Sequence, residues 1–141
     1  MEQEDKDLLL RDLCARLPYG VKCYKMTFKP ELAEEVICML RNGSHNCVQL
    51  GTFLYRLEHI KPYLFPLSSM TEEQKNQLKE IWDADMNKAL DYAISGEEGL
   101  SDLFQLSAAK KVINWFIKNH FDFQGLIPKE LAIDCTNLNV Y

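Results

Sequence analysis

The sequence predicts an α+β fold, with a small antiparallel sheet, able to curl, packed with an N-terminal helix and two C-terminal helices. Three observations carry this prediction. Up to Pro66 the chain has one helical stripe and then several short β-forming runs, while beyond Pro66 long stretches repeat apolar residues at three- and four-residue spacing. No β-α-β alternation occurs, which argues against a doubly wound parallel sheet. The chain has 141 residues, 47% apolar and 26% charged. That is enough for one domain with its own core, needing neither metal nor disulfide. The reading is a single domain, 1–141, with a helix-plus-β part over 1–66 and a helical part over 67–141.

The first helix is predicted over Glu4 to Leu17. Leu9, Leu10, Leu13, Cys14 and Leu17 form its apolar stripe, and Pro18 with Gly20 stops it. Acidic residues in its first turn and Arg16 in its last suit the helix dipole. Val21 to Lys29 follows as a strand. Tyr24, Met26 and Phe28 alternate with Lys25, Thr27 and Lys29, so the first set is expected to face the core. Val21 and Cys23 have the opposite parity and point to a bulge or a partly covered second face. Pro30 ends the strand.

Glu35 to Arg41 and Ser44 to Leu50 read as a hairpin around Asn42-Gly43, which fits a type I′ turn. That turn would set Arg41 opposite Ser44 and Cys38 opposite Cys47. The cysteine pair then fits two adjacent buried thiols and also permits a strained cross-strand disulfide. Thr52 to Leu57 adds a further strand after Gly51. Tyr63 to Phe65, between Pro62 and Pro66, is expected at an edge.

Thr71 and Gln74 have the spacing of a capping box and open the second helix. Leu78, Ile81, Trp82, Met86, Ala89, Leu90 and Ala93 continue it to Ser95-Gly96. A loop through Glu97-Glu98-Gly99 leads to the last helix, Asp102 to Asn119, with Val112, Ile113, Phe116 and Ile117 on its apolar face. Phe121, Phe123, Leu126 and Ile127 are expected to fold back onto the core, with a short turn at Pro128 to Leu131.

The net charge is -5. Residues 1–66 hold nine basic and nine acidic side chains, and residues 67–141 hold seven basic and twelve acidic. The excess acid therefore belongs to the helical part, and the total disfavours a general nucleic-acid coat. No apolar run approaches the ~20 residues that cross a bilayer. The acidic start, Met1 to Asp7, lacks the basic-then-apolar order of a secretory signal. Five cysteines, none in a C-x-x-C pair, read as free thiols of a reducing compartment. The expected location is the cytoplasm, with no membrane association.

The residues assign no catalytic, cofactor-binding or metal site. His45, His59 and His120 have no zinc-ligand spacing. His59 reads as a partly buried structural histidine. His120 falls at a helix C-terminus, where its charged form is favoured. Nucleophile elbows and glycine-rich phosphate loops are missing. Cys14 lies near Arg11 and Arg16 but on the apolar stripe, so burial is expected. One basic stretch stands out. Arg16, Lys22, Lys25 and Lys29, interleaved with Tyr19, Tyr24 and Phe28, form the candidate interaction surface, either a solvated face or a platform for single-stranded nucleic acid.

Three blocks carry a resemblance. They are Leu-Cys-Ala-Arg-Leu-Pro-Tyr-Gly-Val-Lys-Cys (13–23), Lys-Pro-Tyr-Leu-Phe-Pro-Leu-Ser-Ser-Met-Thr-Glu-Glu-Gln (61–74) and His-Phe-Asp-Phe-Gln-Gly-Leu-Ile-Pro-Lys-Glu-Leu-Ala (120–132). In these the chain resembles a family of small uncharacterised proteins from gut anaerobe genomes and their phages or prophages. The resemblance implies a cytoplasmic, mobile-element origin and transfers no catalytic residue. The expectation is a non-enzymatic protein that binds a protein partner or associates with itself. A nucleic-acid-binding accessory role through the basic face is the alternative.

Overall fold

A computed structural model describes residues 1–26 and 33–141. The chain is α+β, as the sequence predicts. Its elements are α1 (Gln3–Arg16), β1 (Lys22–Lys25), β2 (Glu34–Asn42), β3 (His45–Leu50), β4 (Phe53–Arg56), β5 (Ile60–Leu64), α2 (Glu72–Ile94), α3 (Glu98–Lys118) and β6 (Ile133–Asp134). The strands form one open sheet in the order β4-β3-β2-β1-β5-β6, antiparallel except for the β5–β6 pair. The chain divides into two compact units, residues 1–67 with 120–141 and residues 68–119.

In the first unit Leu9 and Leu13 of α1 pack with Val21, Cys23, Val36, Val48, Leu50 and Ile60. The inward face of α1 is Leu9, Asp12, Leu13 and Arg16, with Leu10 and Leu17 at its margin. Cys14 is exposed, against its expected burial. The helix has rotated because Asp12 and Arg16, one turn apart, satisfy each other inside.

The alternation in β1 is the reverse of the predicted one. Val21, Cys23 and Lys25 are buried, whereas Met26 is half exposed. Two small side chains fit under the sheet, and the third is admitted because its ammonium meets Glu34 at 2.9 Å and lies over the Tyr55 ring. The expected continuation through Phe28 and Lys29 to Pro30 lies outside the described residues.

The β2–β3 register also differs. Asn42 pairs with His45, so the two-residue loop is Gly43-Ser44. Gly43 has φ +62°, as the first central position of a type II′ turn requires. Glycine therefore takes the first loop position, and Asn42 stays in the strand. The shift moves each partner by two residues, so the same faces meet. Cys38 then lies opposite Gln49, and its thiol donates to Gln49 Oε1 at 3.2 Å. Cys47 lies opposite Leu40, and both cysteines are free.

β5 is interior, between β1 and β6, not an edge. Pro62 pairs with Cys23 at a position where β1 needs no N–H from it, since the Met26 amide bonds to the His59 carbonyl and the hydrogen-bonded pairs alternate from there. Residues 120–122 extend β5 further. Phe65 N–H donates to the His120 carbonyl, and Asp122 N–H donates to the Phe65 carbonyl. The Asp122 carboxylate accepts from the amides of Leu126 and Ile127, both at 2.8 Å. These bonds set the turn that seats Leu126, Leu131 and Ala132 against Leu64. The tail does fold back, as expected.

The second unit is an α2–α3 hairpin. Its capping box is formed on both sides. Gln74 N–H donates to Thr71 Oγ1 at 3.2 Å, and Thr71 N–H donates to Gln74 Oε1 at 2.9 Å. α2 ends at Ile94. α3 begins at Glu98, four residues earlier than predicted, because the Glu97 carbonyl accepts from Leu100 and Ser101. Glu98 in the first turn suits the dipole, so it opens a helix where a solvated loop was expected.

Candidate functional site

The four predicted cations do not form one exposed face. Arg16 is 0% exposed and Lys25 is 5% exposed. Lys29 lies outside the described residues. Arg16 is a fold staple. Its Nε and Nη2 reach the two carboxylate oxygens of Asp12 at 2.7 and 2.9 Å, and Nη2 also donates to the Phe121 carbonyl at 2.8 Å. Gln124 donates to Asp12 as well, and the Phe123 ring lies against the guanidinium. Lys22 is half-buried, with Nζ donating to the Val140 carbonyl at 2.8 Å.

Around Lys22 the sheet contains an unusual insertion. Lys22 and Tyr63 would form the next hydrogen-bonded pair of the β1–β5 ladder. Instead Lys22 N–H donates to the Tyr141 hydroxyl at 2.9 Å, and that hydroxyl donates to the Tyr63 carbonyl at 3.0 Å. Burial pushes the Tyr141 phenol up, which keeps the proton that makes the second bond. The Tyr141 ring stacks on His120 with centroids 3.8 Å apart.

His120 is buried, with φ +62°. Burial, with the nearby Arg16 and Lys22 charges, pushes its imidazole down to about 4. This overturns the expectation of a charged histidine, because the ring is removed from water and lies near the Arg16 and Lys22 cations. Its Nδ1 and Arg16 Nη1 are buried without a hydrogen-bond partner among the described residues. His59 is exposed, not partly buried, and its carbonyl serves the β1–β5 ladder. His45 lines a cleft of about 160 Å³ with Gln3, Lys6, Ser44 and Glu58. There Lys6 meets Glu58 at 2.6 Å and holds its carboxyl below the usual range. Among the described residues, no His, Cys, Asp and Glu group could hold a metal ion.

An exposed apolar surface lies on the α2–α3 hairpin. The seam between the helices is narrow, with Asp85 and Ala89 buried from α2 and Ser101 and Ala108 from α3. Tyr92 stacks on Phe104 beside it. One flank is polar. Asp85 accepts from Ser107 Oγ at 2.8 Å and pairs with Lys111 at 2.8 Å, contacts that hold its carboxyl below the usual range. Lys88 covers the Phe104 ring there. At 100° per residue, Lys88 falls to one side of Asp85, and Trp82, Met86 and Leu90 fall to the other. By the same count Leu106, Ala109 and Ile113 of α3 come to that second side, since the helices run antiparallel. This flank is apolar, and Trp82, Leu90, Leu106 and Ile113 on it are exposed.

The sequence pattern sets Trp82, Met86, Leu90 and Ile113 on the apolar stripes of the two helices and does not single out Leu106 or Ala109. The available signal was the width of the apolar arc. Trp82, Met86, Leu90 and Ile94 recur every four residues and drift about 40° per step away from the seam. The chain has no match among family models, curated proteins or solved structures. No helix among the described residues is long and apolar enough to cross a membrane.

Proposed function

We propose that this chain acts by binding another protein, as a non-enzymatic cytoplasmic component of a phage or prophage. The observation that supports the binding role is the apolar flank of the α2–α3 hairpin. It leaves large side chains in water along two helices, where a monomeric surface more often scatters them singly. The origin rests on the three sequence blocks alone. The test is affinity capture with the intact chain and with a Leu90→Glu/Leu106→Glu variant. The expected result is a partner, either a host protein or a second copy, retained by the native chain and lost with the variant. Circular dichroism should show the same helix content in both. Capture unchanged by the two charges would refute the reading.

A further inference from the structure

We infer that the place held by the Tyr141 side chain is a recognition site for tyrosine in a peptide, filled from within by residues 136–141 and open to a tyrosine-bearing segment of another protein. The site lies in the first unit, and its failure would leave the hairpin reading untouched. Each part of the occupant is read. Its hydroxyl bridges the Lys22 amide at 2.9 Å and the Tyr63 carbonyl at 3.0 Å. It stands where β1 and β5 would otherwise bond to each other, so the group that fits must accept and donate at one atom. The ring lies face to face with His120, and the Phe65 ring is tilted toward it at 6.0 Å between centroids. Lys22 Nζ donates to the carbonyl of Val140, the residue before the tyrosine, so the ligand's backbone is read as well. A phenylalanine would leave the amide and the carbonyl unpaired, and a site built to bond a hydroxyl discriminates strongly against an analogue without one.

The present occupant is lightly tethered. Residues 136–139 are exposed, and Tyr141 itself is 40% exposed with its hydroxyl inside. Beyond Cys135 the strap bonds to itself, with Leu138 N–H donating to the Cys135 carbonyl and Val140 N–H to the Leu138 carbonyl. Among the described residues its hydrogen bonds to the sheet are those of the Tyr141 hydroxyl and the Lys22–Val140 contact. A short flexible strap holds its own ring at the site at an effective concentration on the order of millimolar. A peptide from outside must outcompete that concentration, so the strap sets a threshold that weak tyrosine ligands do not pass.

The probes are acetylated, amidated Leu-Asn-Val-Tyr, which repeats residues 138–141, and its counterpart ending in phenylalanine. Each is titrated to roughly 10 mM, above the strap's effective concentration, with the Lys22 amide followed by nuclear magnetic resonance. Tyr141→Ala removes the internal occupant. The tyrosine peptide is expected to shift the Lys22 amide and to bind this variant roughly tenfold or more tightly than the native chain. The phenylalanine peptide is expected to bind the variant roughly tenfold or more weakly than the tyrosine peptide. Equal binding of the two peptides overturns the inference. So does equal binding by variant and native chain, or a variant of native helix content whose Lys22 amide ignores the tyrosine peptide. If the variant does not fold, hydrogen exchange in the native chain decides. The Lys22 amide is expected to exchange faster than that of Val36, which donates to the Val21 carbonyl at 2.9 Å, and the tyrosine peptide should slow it. A Lys22 amide as slow as that of Val36 and unmoved by the peptide overturns the inference.

Discussion

In the sheet-bearing unit Asp12, Arg16, Lys25 and Asp122 lie inside, each meeting a partner from its own or a neighbouring element. In the helical unit Asp85 and Ser101 are the buried polar side chains, while Leu90, Ile94, Leu103 and Leu106 remain in water. The first unit uses charge to pin distant segments. Arg16 ties α1 to a carbonyl 105 residues away. The second has one narrow seam between two sequence-adjacent helices and needs no such ties. The difference lies in the interiors, with polar ties between distant segments in the first unit and one narrow seam in the second.

The comparison breaks first at Arg16. Arg16→Ala leaves the Asp12 carboxylate buried and unpaired and is expected to destabilise the first unit by about 3–5 kcal/mol in urea unfolding. Asp12→Leu/Arg16→Met removes both charges and should recover most of the loss. A single-variant cost below about 1 kcal/mol would mean that the pair is wetter than its geometry shows. Tyr141→Phe comes next. It strips an acceptor from the Lys22 amide and a donor from the Tyr63 carbonyl, with an expected cost of about 1–3 kcal/mol. Faster hydrogen exchange at the Lys22 amide would localise the effect. Direct closure of the ladder in the variant would instead leave that amide protected.

These staples also show which parts of the fold the sequence disclosed. The class, the Thr71–Gln74 box and the end of α2 near Ser95-Gly96 were legible because each depends on neighbours within a turn. The β1 face was not. Val21-Cys23-Lys25 and Tyr24-Met26 are competing stripes, and Glu34, which admits Lys25, comes from another strand. The hairpin turn was half legible, since Asn-Gly and Gly-Ser both make tight loops and the pairing chose between them. The two-residue β6 and the Tyr141 bridge join partners about 70–120 residues apart, and no local pattern announces them. The candidate basic face failed because Lys22 and Lys25 meet partners from distant segments, the Val140 carbonyl and Glu34, while Arg16 turns inward to Asp12 on its own helix and to the Phe121 carbonyl. The hairpin flank was present as periodicity, but periodicity alone does not separate an apolar side that is buried from one that is exposed.

Acid should separate the units further. The unfolded imidazole of His120 titrates near 6.5 and the folded one near 4, chiefly through burial. Between those values the unfolded chain binds more protons, so the first unit loses stability as pH falls from about 6.5 toward 4. The slope stays below the roughly 1.4 kcal/mol per pH unit of one whole proton. Comparing melting temperatures of the native chain and His120→Gln across that window reads it, with the variant expected to show the flatter profile. Thr71→Ala acts on the other unit. It removes one side of the capping box and should cost about 1 kcal/mol, seen as fraying of the first turn of α2 by hydrogen exchange.

The smallest expected effect makes the sharpest distinction. Leu106→Gln replaces a side chain that is 68% exposed, so little of its surface is removed from water when the hairpin folds. Glutamine is nearly as good a helix former as leucine, so propensity changes little. The unfolding free energy of monomeric protein at high dilution should therefore move by less than about 0.5 kcal/mol. A buried leucine would give a much larger loss, about 2 kcal/mol or more for deletion to alanine. If Leu106→Gln costs that much in dilute monomer, the flank belongs to the fold and is not a surface awaiting a partner. If it costs almost nothing when dilute but destabilises concentrated protein, the missing stabilisation comes from association, because a partner that binds only the folded chain raises its apparent stability by mass action.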